Sequence, residues 1–130
     1  MNDKFIPEAI AQFIIDKIDS VAELEALLLL RGNPHDRWTP QNVSKRLYLS
    51  DKDAFEVLVA LSTKGVVLYK SSDSGWYEYQ PGSPEVGQLV DRLFEIYPKQ
   101  IVPITNLIHS KSKQRIKEFA DAFKMRKDED

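Results

Sequence analysis

The chain has 130 residues and a mass of 15.0 kDa, enough for one hydrophobic core, and its 42% hydrophobic and 29% charged residues are ordinary globular values. A net charge of -2 offers no overall basic surface, and the absence of cysteine excludes a disulfide framework or a thiolate metal site. Met1-Asn2-Asp3-Lys4 lacks an export signal, and the longest purely apolar run, Ala26 to Leu30, is too short to span a bilayer, so the expectation is a soluble cytoplasmic chain without a membrane partner.

Pro7 fits a first-turn position, and Ile10, Phe13, Ile14 and Ile18 repeat at helical spacing, which predicts an N-terminal amphipathic helix. Ser20 with Glu23 is a capping box that starts the next helix. Its leucines at 27 to 30 cover the whole circumference, so it should be the buried centre of the core before Gly32-Asn33-Pro34 ends it.

The stretch from Trp38 to Pro81 organises the rest. Thr39 is an N-cap, Pro40 suits the first helical position, and Trp38 is placed to staple onto Val43; Val43, Leu47 and Tyr48 give this short helix an apolar face. Ser50 and Asp53 start a second helix whose inner face is Ala54, Val57, Leu58 and Leu61, and Gly65 stops it. Val66 to Tyr69 and Trp76 to Tyr79 then read as strands joined by the turn-formers Ser72-Asp73-Ser74-Gly75. Two capped helices followed by a hairpin predict a winged helix-turn-helix.

After the break at Pro81-Gly82-Ser83-Pro84, the residues Val86, Val90, Leu93, Tyr97, Ile101, Ile104 and Ile108 follow the step pattern of a helix-helix seam. Pro98 and Pro103 interrupt it, which predicts a kinked helix or two collinear ones. Ile116, Phe119, Ala120 and Phe123 form a last amphipathic segment, and Lys127 to Asp130 a frayed tail. The fold class is therefore mainly α with a small β-hairpin, read as one domain over 1–130: an N-terminal helix at 7–19, a winged-helix core at 20–81 and a helical dimerisation region at 83–127.

Little supports catalysis. His35 and His109 have no second ligand at metal spacing, and the glycines form no phosphate loop, so no enzyme, metal or cofactor is expected. In a DNA reader the helix from Asp51 to Lys64 would enter the groove, presenting Lys52, Phe55, Glu56, Val59, Ser62 and Thr63. Lys45, Arg46, Lys52 and Lys70 would lie on phosphates with Gln41, Asn42 and Ser44 beside them, and Ser62 and Thr63 near base edges. The same outward face, centred on Phe55, Glu56 and Val59, equally suits a protein partner. A further basic stretch, Lys111, Lys113, Arg115, Lys117, Lys124, Arg126 and Lys127 against Glu118 and Asp121, reads either as a phosphate-binding tail or as a solvated helix face.

By pattern, Ser20 to Gln80 resembles the MarR-like winged helix-turn-helix regulators of bacteria. The ending Lys117-Glu118-Phe119-Ala120-Asp121-Ala122-Phe123-Lys124-Met125-Arg126-Lys127 is similar to that of small uncharacterised bacterial winged-helix proteins. The resemblance implies a homodimeric transcriptional regulator that grips double-stranded DNA. Its terminal helices, 7–18 and 84–125, would form the dimer surface through Ile10, Phe13, Ile14, Val86, Val90, Leu93, Tyr97, Ile101, Ile104 and Ile108. The family's arginine-bearing wing has no counterpart here, since Ser71 to Gly75 holds no arginine. The alternative is a winged-helix protein-interaction module that does not bind DNA.

Overall fold

The computed structural model describes residues 6–71 and 74–128. Six α-helices and one antiparallel hairpin follow one another as α1 (Glu8–Lys17), α2 (Val21–Gly32), α3 (Pro40–Leu47), α4 (Asp51–Thr63), β1 (Val67–Lys70), β2 (Trp76–Tyr79), α5 (Pro84–Ile96) and α6 (Ile101–Asp128). Four of the helices start where a side-chain oxygen is available to a free amide. Ser20, Thr39, Ser50 and Ser83 accept from the backbone N–H of Glu23, Asn42, Asp53 and Val86, respectively.

The end of α4 is as well defined. Gly65, at φ +80°, lets its own N–H reach Ser62 O at 3.1 Å and the Val66 N–H reach Leu61 O at 3.2 Å, the paired bonds of a Schellman motif. Chain reversal at this point sets β1 directly after the helix. Of the predicted turn, Ser72 and Asp73 lie outside the described residues, and Gly75 takes φ +73° with the Tyr69 hydroxyl where a Cβ would stand.

Leu24, Ala26, Leu27 and Leu30 of α2 are buried, and α2 packs against α3, α4, α5 and β2, so it is the centre of the core. Leu28 and Leu29 are only half-buried. Ala54, Val57, Leu58 and Leu61 form the inner face of α4 as their spacing predicts. Tyr48 departs from its expectation. As the C-cap of α3 it adopts φ 57°, which turns it off the apolar face and leaves it 95% exposed.

One pairing joins the helical and β parts. Trp38 N–H donates to Tyr77 O at 2.8 Å and Tyr77 N–H to Trp38 O at 2.7 Å, so the segment before α3 adds a one-residue third strand to the hairpin beside β2. Trp38 is buried there.

The long seam is two helices. Pro98 sits in a 3-10 turn, Tyr97–Lys99, that separates α5 from α6, and Pro103 occupies the first turn of α6, where its missing N–H has no helical partner to lose. The prolines thus break the helix and restart it. The expected tail falls partly within α6, which continues to Asp128; Glu129 and Asp130 lie outside the described residues.

What covers the seam is α1. Ile10, Phe13 and Ile14 are buried together with Val90, Leu93, Ile104 and Ile108, and α1 packs on α5 and α6. These seven residues therefore are not available as a dimer surface: their apolar faces satisfy one another within the chain. Val86 and Tyr97 are half-buried and pack on the same core, which leaves Ile101, 47% exposed, as the member of the set that faces solvent.

Candidate nucleic-acid interface

The helix pair α3 and α4 is locked by a polar contact. The Ser44 hydroxyl is buried, donating to Asp51 Oδ1 at 2.6 Å and lying 2.8 Å from the Gln41 carbonyl. Ser44 is thereby removed from the expected phosphate contacts, because its hydrogen-bonding capacity serves the turn between the helices. Gln41, Asn42, Lys45 and Arg46 are exposed on α3.

On α4 the exposed residues are Asp51, Lys52, Asp53, Phe55, Glu56, Val59 and Thr63, with Phe55 51% and Val59 39% exposed; Ser62 is half-buried. Ser62 and Thr63 sit in the last turn, at the opposite end from the first turns that such a helix brings to base edges. The leading part of α4 presents Asp51, Lys52, Asp53, Phe55 and Glu56.

Lys70, in the wing, lies 3.7 Å from Glu78, whose other carboxylate oxygen accepts from Trp76 Nε1 at 2.7 Å. The Trp76 indole N–H, with Lys70 and Arg37 adding their charge, holds the Glu78 carboxyl below its ordinary range. Tyr69 and Tyr77 meet in a tilted ring contact with centroids 4.8 Å apart, and burial, reinforced by Tyr69, pushes the Tyr77 phenol up.

The cations of the chain are held in different ways. Arg31 pairs with Asp91, Lys64 with Asp19 and Glu23, and Lys111 and Arg115 with Asp19. The basic stretch near the C-terminus thus splits: Lys111 and Arg115 are structural, and Lys111 also donates to the Ile18 carbonyl at the end of α1. By contrast Arg37, Lys45 and Arg46 have no carboxylate within ion-pair distance among the described residues. Arg37 instead lies over the Trp76 ring, 4.1 Å from its centroid, and Arg46 over Trp38 at 5.6 Å. These three line a cleft of about 420 Å³ with Asp36, Trp38 and Asn42.

Arg37 and both tryptophans were absent from the sequence-derived site. The alternation of exposed Arg37, buried Trp38 and half-buried Thr39 is the strand-like signal that could have placed Arg37 beside the wing. Among the described residues no group of three or more His, Cys, Asp or Glu side chains could hold a metal ion, and no described helix is long and apolar enough to cross a membrane.

No protein-family model matches the sequence, and no curated protein does. Among solved structures, reduced HlyU from Vibrio cholerae N16961 superposes with a TM-score of 0.53 at 22% identity, over 68% of this chain and 90% of that one. The fold is a winged helix. In winged-helix terms α3 and α4 are the helix-turn-helix, the β1–β2 hairpin is the wing, and the Trp38 bridge is the short strand that ties the wing to the helices.

Proposed function

We propose that this winged-helix chain is a homodimeric DNA-binding transcriptional regulator of the MarR-like type, with α4 directed to the major groove and α3 to the backbone. The observation that carries the reading is the gathering of three cations without a carboxylate partner on one cleft beside α3. Arg31, Lys64, Lys111 and Arg115 are taken up by Asp19, Glu23 and Asp91, while Arg37, Lys45 and Arg46, gathered on one cleft at α3, are left to an outside anion. Titration into duplex DNA at a series of salt concentrations tests it. Affinity should fall steeply between about 50 and 200 mM salt, with a log-log slope of about -0.9 per phosphate neutralised. Absence of binding at the low end would end the DNA reading.

The exposed Phe55 and Val59 beside Glu56 favour a second reading, a protein-interaction module. Its signature is that Phe55→Glu abolishes partner capture while leaving the melting temperature unchanged, because the side chain points outward.

The homodimer, on this proposal, forms through the far part of α6 rather than through the covered seam. Beyond Ser112 every described side chain of α6 is exposed, including Ile116 at 69% and Phe119 at 75%, one turn apart on one face. Light scattering at micromolar concentration should return twice the 15.0 kDa chain mass, and Phe119→Glu should return the monomer with unchanged helicity. A monomeric wild-type chain would refute the assignment.

A further inference from the structure

We propose that the cleft between the wing root and α3, bounded by Arg37, Trp38, Asn42, Lys45 and Arg46, is a seat for the backbone phosphodiesters of one DNA strand. This rests on the DNA-binding reading above and assigns the positioning part of that contact to a site the α4 face does not include.

Charge is the first argument. Three cations less Asp36 leave a net +2 in a cleft of about 420 Å³, and the Asn42 amide adds two further donors. A site so composed selects an anion rich in acceptor oxygens. The second argument is the way the guanidinium groups are held. Fixing an arginine by a carboxylate uses the same in-plane N–H groups that would grip a phosphate, whereas a ring face holds the cation and leaves its five donors unspent. Arg37 on Trp76 and Arg46 on Trp38 are both held in the second way. The acid of β2 that feels the Arg37 charge, Glu78, has its oxygens occupied by Trp76 Nε1 and Lys70.

Rigidity is the third. Trp38 is fixed by its paired backbone bonds to Tyr77, and Trp76 by its bond to Glu78, so both platforms are set before a ligand arrives. Ordering the long arginine side chains in advance removes a cost that binding would otherwise bear. A cleft on α3 whose Arg37 rests on Trp76 of the wing would fix the register of α4 on the duplex without reading bases itself.

The chain has two tryptophans, Trp38 in the lining of this cleft and Trp76 under its Arg37, so their indole N–H resonances report on it. The experiment follows both signals, together with affinity, as duplexes of two unrelated sequences and, separately, inorganic phosphate are added to the wild-type chain. The comparison is with Arg37→Gln/Arg46→Gln, which keeps side-chain stems on the rings, and with Lys99→Gln, a charge removal in the turn between α5 and α6. Expected is a shift of both indoles on duplex addition and a 10- to 100-fold loss in the double variant. The salt slope should fall by about 1 to 2, equally for both sequences, with Lys99→Gln close to wild type.

Duplex binding with unmoved indoles and an unchanged slope in the double variant would overturn the seat while leaving DNA reading intact. Failure of the wild-type chain to bind either duplex would overturn both. In that case indole shifts with inorganic phosphate, lost in the double variant, would mark a free-phosphate site in place of the one proposed.

Discussion

Replacing Asp19 by alanine is expected to lower stability by about 2 kcal/mol, a fall in melting temperature on the order of 7 °C for a chain of this size. Asp19 stands between α1 and α2 and accepts from three cations: Lys64 at 2.9 Å, Lys111 at 3.0 Å and Arg115 at 2.8 Å. Its side chain is 38% exposed, so solvent screening reduces each pair well below a buried one. The cost arises mainly from the partners left behind. Lys111 is 9% exposed and Lys64 19%; after the substitution Lys111 keeps the Ile18 carbonyl and Lys64 keeps Glu23, which limits the loss. Arg115→Ala, which removes the most exposed of the three cations, should cost about 0.5 kcal/mol or less. Equal effects from the two substitutions would show that the cluster is a set of solvated pairs and not a joint.

The same residue gives the chain an acid-sensitive term. Burial pushes the Asp19 carboxyl up, but the hydrogen bonds from Lys64, Lys111 and Arg115 outweigh it and hold the group well below its ordinary value of 3.8. A carboxyl that titrates lower in the folded than in the unfolded chain contributes its full stability above about pH 5. That contribution is lost as pH falls below 3.8 toward the folded value. Denaturant titrations at several pH values should therefore show the gap between wild type and Asp19→Asn constant near neutrality and shrinking through that acid window.

What could be read from the sequence was local. A cap is a serine or threonine followed three residues later by an amide to satisfy, and Ser20, Thr39, Ser50 and Ser83 all act over that distance. The stop at Gly65 is local too, because only backbone freedom at one residue is needed. Contacts between distant segments were not legible. The spacing from Val86 to Ile108 marks an apolar face, but a face does not announce its occupant, and α1 proved to cover it within the chain. Likewise the basic run near the C-terminus could not disclose that Lys111 and Arg115 serve Asp19, nor could Trp38 disclose its pairing with Tyr77. The candidate cleft was missed for that reason: Arg37 and Trp76 become neighbours only once the Trp38–Tyr77 rung is formed.

The leucine run in α2 allows the same distinction to be measured with neighbouring residues of one kind. Leu27→Ala is expected to cost about 3 kcal/mol, within the usual range for a fully buried leucine, and to lower the melting temperature on the order of 10 °C. Leu28→Ala should cost about 1 kcal/mol, since Leu28 is half-buried beside the groove formed with Leu47, Tyr48 and Tyr97 and has solvent to fill the space. Helix propensity cannot separate the two, because both exchange leucine for alanine within the same helix. The difference between them is thus a measure of tertiary burial alone. In urea, Leu27→Ala should shift the midpoint without changing the slope, because α2 touches α3, α4, α5 and β2, and its loss weakens one cooperative unit. A slope that fell, or a second transition in which α6 outlasted α4, would mean that the terminal helices hold together without α2, and its place at the centre of the core would have to be given up.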